Sequence, residues 1–184
     1  MTGRLLALTA SVAAAAVLAA CDPATSPPAA TPTAAPTTAA AAGPPAIDSC
    51  LVGTWKSTGI SGTISIGAAK VAISGGTGEV LTIGAGGTIR TDESNTTPVR
   101  GVAADGTQYT LLQTGTATGK IASNGTKISV TLDQPTSMTV SLLKNGVQVQ
   151  SQHPGSANDS YACTAGASLT ITGGGGTVSQ YAPG

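Results

Sequence analysis

Lys127-Ile128-Ser129-Val130-Thr131-Leu132-Asp133, followed shortly by Met138-Thr139-Val140-Ser141-Leu142, is the stretch that decides the fold. Ile128, Val130 and Leu132 fall on one face of an extended chain and Lys127, Ser129, Thr131 and Asp133 on the other. Met138, Val140 and Leu142 repeat the pattern against Thr139 and Ser141. Period-two alternation is the mark of a half-buried strand. Working outward, the same character returns at 51–57, 62–66, 70–74, 79–84, 87–91, 99–103, 107–113, 116–122, 147–151, 160–164, 168–172 and 177–181. No stretch after Ile47 has a convincing helical period. Asp105-Gly106, Asn124-Gly125 and Asn145-Gly146 tolerate the positive φ of tight hairpin turns, so they predict antiparallel neighbours. A meander of this many strands must close on itself or pack as two sheets. The expectation is an all-β, antiparallel up-and-down β-barrel over 47–184, with a β-sandwich as the alternative.

Composition divides the 184 residues. Residues 22–46 are almost wholly Ala, Pro and Thr, with no large apolar side chain to offset the entropy of ordering, so 21–46 reads as a disordered tether. From Ile47 onward large apolar residues return and alternate with Thr and Ser. Acidic and basic residues balance at a formal charge of zero, and charged residues make up 9% of the chain. That balance offers no electrostatic footprint for nucleic acid.

At the N-terminus, Arg4 precedes an apolar run from Leu5 to Leu18, too short to span a bilayer, and Leu18-Ala19-Ala20-Cys21 follows. This segment resembles the signal of bacterial lipoproteins. The resemblance implies a signal peptide over 1–20, cleavage before Cys21, and diacylglycerol on the Cys21 sulfur, usually with a further acyl chain such as palmitate on the new amino group. Each buried methylene contributes roughly 0.8 kcal/mol, so two or three chains give stable anchoring. The expected address is the cell membrane, lipid-anchored at the extracytoplasmic face, with the membrane as partner.

With Cys21 lipidated, Cys50 and Cys163 are the remaining thiols in an oxidising compartment, and a disulfide between them is expected. Two buried free cysteines are the alternative. A bond would bring the beginning of the sheet beside its end, as at the seam of a barrel. Cys50-Leu51-Val52-Gly53-Thr54-Trp55 carries a G-x-W element in the first strand, and Tyr161-Ala162-Cys163 with Leu169-Thr170-Ile171-Thr172 precedes a glycine run and a last strand. Together these resemble lipocalin-like bacterial lipoproteins. The resemblance implies structural roles for Gly53 and Trp55, the Trp plugging the closed end of a barrel whose other end admits an apolar ligand. The Arg that covers that Trp in lipocalins is absent from 178–184.

Candidate chemistry is sparse. His153 is the only histidine, which rules out multi-histidine metal sites. His153, Asp159 and Ser160 are of the types needed for base, orienter and nucleophile, but their crowding into one segment reads as a solvated turn. Ser141 and Lys144 have S-x-x-K spacing, yet on a strand they point to opposite faces. Gly115 to Lys120 is one residue short of a phosphate loop. Asp92 and Glu93 read as a solvated loop without the alternating oxygens of a calcium site. The expectation is therefore a non-enzyme with no metal and no cofactor. Its predicted function is to bind an aliphatic or lipid-like ligand in the barrel, the alternative being a structural or protein-interaction lipoprotein with a filled core.

Overall fold

A computed structural model describes residues 47–184; the expected signal peptide over 1–20, Cys21 and the expected tether over 21–46 lie outside the described residues. Among the described residues there are thirteen strands and no helix. In order they are β1 (Gly53–Ile66), β2 (Ala69–Gly75), β3 (Val80–Ile83), β4 (Thr88–Asp92), β5 (Val99–Val102), β6 (Gln108–Thr114), β7 (Thr116–Asn124), β8 (Lys127–Leu132), β9 (Thr139–Lys144), β10 (Val147–Gln152), β11 (Ala157–Thr164), β12 (Ser168–Thr172) and β13 (Thr177–Pro183). The three Gly-containing turns join β5 to β6, β7 to β8 and β9 to β10 as antiparallel hairpins.

Eight strands close a barrel of lipocalin-like, up-and-down architecture. Around it run β1, β3, β4, β7, β8, β11, β12 and β13, each antiparallel to the next, and β13 returns to β1 from Trp55↔Pro183 to Gly62↔Thr177. The sandwich alternative does not hold. Three excursions interrupt this meander: β2 between β1 and β3, β5 with β6 between β4 and β7, and β9 with β10 between β8 and β11. Because successive barrel strands alternate in direction, all three leave from the same end, called here the upper end. They assemble into a wing in the order β1-β2-β5-β6-β9-β10.

β1 belongs to both parts. Its first residues, Gly53 to Lys56, pair with β3, and Ile60 to Ile66 pair with β2. The two predicted strands at 51–57 and 62–66 are thus one strand, interrupted by a bulge where the register against β13 slips between Ser57 and Gly59. Thr58 is the extra residue. Without such a slip a regular strand that buries Trp55 and Ser57 would turn Ser61, Thr63 and Ser65 inward. With it, Ile60, Ile64 and Ile66 take the inner face, Ile60 opposite Ser179, which shares a face of β13 with Thr177 and Tyr181.

The barrel core holds Trp55, Leu81, Ile83, Ile89, Ile121, Ile128, Tyr161, Leu169 and Tyr181, with Ile47 and Leu51 added from outside the strands. Residues 47–52 plug the lower end. Leu51 is fully buried, its carbonyl accepts from the Trp55 indole at 2.9 Å, and Asp48 accepts from the Tyr161 hydroxyl at 2.6 Å. Cys50 and Cys163 are disulfide-bonded with their Cα atoms 6.1 Å apart. The bond does not mark the seam as the sequence suggests, for Cys163 lies in β11 while the partner of β1 is β13. It staples the plug to the barrel wall.

Candidate functional site: an apolar trough above a buried carboxylate pair

The inner face of β1 runs without interruption from the barrel into the wing. Above Ser57 it meets the curled sheet of the excursions, whose own core is Val71, Ile73, Val99, Ala103 and Tyr109. Ile60, Ile64, Ile66, Leu111 and Leu142 pack against that core but remain half-buried. They leave two adjoining hollows of about 250 and 170 Å³ that share Ile64, Leu111 and Val140 as walls. Ile60, Ile73 and Val99 complete the inner hollow with Gln113, Thr177 and Ser179; Ile66, Leu142, Gln150 and Gln152 surround the outer one. The result is an apolar trough with polar ends. Gly76 shapes its wall: its φ of +68° suits glycine, and a Cβ there would lie 2.7 Å from Ile60 Cδ1 and 2.9 Å from Val99 Cγ2.

Between barrel core and trough lies a polar layer. Glu79, one residue before β3, and Glu93, one residue after β4, are both buried, Glu93 at 2% exposure. Glu79 Oε2 accepts from the Tyr181 hydroxyl at 3.0 Å. Glu93 accepts from the Thr96 hydroxyl at 2.5 Å and from the Gln113 amide at 3.5 Å. Beside them the Ser57 hydroxyl donates to the Gly76 carbonyl at 2.7 Å. Every buried side-chain nitrogen and oxygen among the described residues has a partner. Burial disfavours the carboxylate form, and the nearby Glu93 adds repulsion, so the Glu79 pKa is pushed up to about 7 although the Tyr181 hydrogen bond opposes the rise. Burial also raises Glu93. Tyr181 is raised by the same desolvation and by the adjacent Glu79. The layer accordingly holds a proton near neutral pH, and Gln113 connects it to the trough.

Sequence alone misses this layer. Asp92 and Glu93 were expected to be solvated together, yet Glu93 is buried while Asp92, pairing with Arg90 at 3.2 Å, keeps its side chain partly exposed. The one available signal was phase: in 89–93, Ile89, Thr91 and Glu93 alternate with Arg90 and Asp92, so Glu93 continues the inward set.

The other sequence candidates are dispersed. Gly53 opens β1 at a φ of +146°, and Trp55 is buried against the plug. His153 Nδ1 is 2.7 Å from the Met138 carbonyl, and Ser160 accepts from Lys127 at 3.4 Å. No hydrogen bond among the described residues joins His153, Asp159 and Ser160. Ser141 and Lys144 both lie on β9, and Thr116 to Lys120 lie in β7. No group of three or more metal-ligating side chains occurs among the described residues. The largest hollow, about 640 Å³, surrounds the β7–β8 hairpin, where Asn124, Lys127, Ser129 and Asn158 expose polar groups and Ile128 is the only large apolar side chain. The trough, by contrast, is walled by large apolar side chains drawn from several strands, Ile60, Ile64, Val99, Leu111, Val140 and Leu142 among them.

Comparison of the chain with protein-family models, curated proteins and solved structures finds no match.

Proposed function

We propose that this chain is a lipid-anchored protein of the cell envelope that binds an aliphatic or lipid-like chain without catalysing a reaction on it. The ligand lies in the wing trough rather than inside the barrel. The observation that carries this reading is the set of half-buried apolar walls, Ile60, Ile64, Leu111, Val140 and Leu142, facing one another across a hollow. Below the polar layer, by contrast, the inward side chains of the barrel pack against one another from Leu51 to Tyr181. Removing the trough walls from water supplies the driving force, at roughly 25 cal/mol per Å² of apolar surface covered. The ligand's polar end faces the glutamines or threonine at either rim. Membrane anchoring through Cys21 rests on the N-terminal signal, and it places the trough where such chains are abundant.

The test is titration of the full chain with ¹³C-labelled dodecanoic acid, followed by NMR. Saturable binding that is abolished by Leu111→Lys, in a protein whose melting is otherwise retained, supports the reading. Absence of binding up to the solubility limit, or equal binding by the variant, refutes it. Metabolic labelling with a fatty-acid probe tests the anchor separately: wild-type protein takes up label and a Cys21→Ser variant does not.

A further inference from the structure

β10 is the only strand with a single partner among the described residues. Each of the other twelve has at least two neighbours, β1 having three, because β3, which would otherwise be the second edge, closes on β1. The whole sheet therefore has one free edge. All six residues of Val147–Gln152 are exposed, Val147 at 68% and Val149 at 56%. Natural edges are blunted with charges, prolines or bulges, since a row of unpaired N–H and C=O groups is a template for another strand. Val-Gln-Val-Gln-Ser-Gln has no charge, no proline and no glycine. The only such device is a single bulge, where the register against β9 slips between Gln148 and Gln150 and Val149 is the extra residue.

We propose that β10 pairs antiparallel with β10 of a second copy of this chain, about a twofold axis perpendicular to the sheet, so that one sheet runs through a dimer. The neutral composition favours a second copy. Antiparallel self-pairing sets each residue against one from the same strand, so a charge anywhere in it would lie near its own kind. In Val147–Gln152 the valines meet Val, Gln or Ser, and the glutamines can bond across the axis. The flanks confine the contact: Asn145-Gly146 turns the chain at one end, and Pro154 offers no N–H at the other. The edge count fixes the stoichiometry, because each copy has one free edge and a pair uses both. The assembly stops at two. A twofold perpendicular to the sheet also keeps the two troughs, whose outer ends carry Gln150 and Gln152, on the same side of the dimer.

Six residues per copy form a small interface, so the dimer dissociates in the micromolar range or weaker. Sedimentation equilibrium of the full chain in density-matched mild detergent, at up to about 1 mM, measures it. The wild type shows a monomer–dimer equilibrium. Val147→Lys with Val149→Lys weakens it at least tenfold, whereas Val102→Lys, on the outer face of doubly paired β5, leaves it unchanged. A monomeric wild type, an unaltered dimer in the double variant, or species larger than two copies overturns the proposal. Should the double variant fail to fold, single cysteines decide the question. Under oxidation Val149→Cys, near the axis, cross-links the copies and Val102→Cys does not; equal cross-linking of the two also overturns it.

Discussion

Tyr181 donates its hydroxyl hydrogen to Glu79 across 102 residues of sequence, and this 3.0 Å contact joins the last barrel strand to the floor of the trough. Tyr181 belongs to the barrel core, and Glu79 repels Glu93, which Gln113 holds from the wing. The protonation of the pair is therefore coupled to the junction of the two parts.

A pH dependence follows. The folded pKa of Glu79, about 7, lies above its ordinary value of 4.5, so the folded chain binds more protons than the unfolded one between these values. Stability then falls as pH rises through that window and levels off above about 7. Asp48 acts in the opposite direction at lower pH: the Tyr161 and Cys50 hydrogen bonds lower its pKa, so its contribution is present above about 4 and is lost on acidification. Glu79→Gln removes the neutral limb and raises stability at pH 8 by up to about 3 kcal/mol, with little change at pH 5. Urea titrations of both proteins at pH 5, 6.5 and 8 check this, and parallel profiles would contradict it.

The Cys50–Cys163 bond spans a sequence separation of 113 residues. By the chain-entropy estimate, a loop of that length contributes roughly 4 to 5 kcal/mol. Replacing both cysteines with Ser lowers the free energy of unfolding by that order. Hydrogen exchange locates the effect, with the largest loss of protection in residues 47–52 and in β11. A loss confined to the wing would show that the staple acts elsewhere.

The bulge makes two neighbouring deletions behave differently. Removing Thr58 takes out the extra residue and leaves Ile60, Ile64 and Ile66 on the inner face. Removing Ser61 keeps Ile60 inward but turns Ile64 and Ile66 to solvent. Deletion of Ser61 therefore costs about 2–4 kcal/mol more than deletion of Thr58 and abolishes the trough. Chemical denaturation with dodecanoic acid titration distinguishes them; equal losses would mean that the bulge does not set the phase.

These cases show where the sequence is legible and where it is not. The alternation in 127–132 and 139–144, the three Gly turns and the two cysteines are local or countable signals, and they lead to antiparallel hairpins, an all-β barrel and the disulfide. Hairpin signals name a strand's next neighbour but not the sheet it joins. Hence nothing in Asp105-Gly106 or Asn145-Gly146 distinguishes a wing hairpin from the barrel hairpin at Asn124-Gly125. The phase change at Thr58 looks like the end of a strand, because its cause is the register of β13, more than a hundred residues away. Glu93 looks like surface because its partners Thr96 and Gln113 come from a loop and from the wing.

The pairing of β1 with β13 also sets a schedule. Hairpins such as β7–β8 and β9–β10 need only their own residues and can form before the rest of the chain is in place. The barrel cannot: Trp55 to Gly62 wait for Thr177 to Pro183, so closure is a slow, non-local event reserved for the finished chain. Until Tyr181 arrives, Glu79 lacks its hydroxyl partner and the trough lacks the wall supplied by Thr177 and Ser179. The trough is thus completed last, in the same step that seals the barrel, and a chain that stops short of β13 has neither.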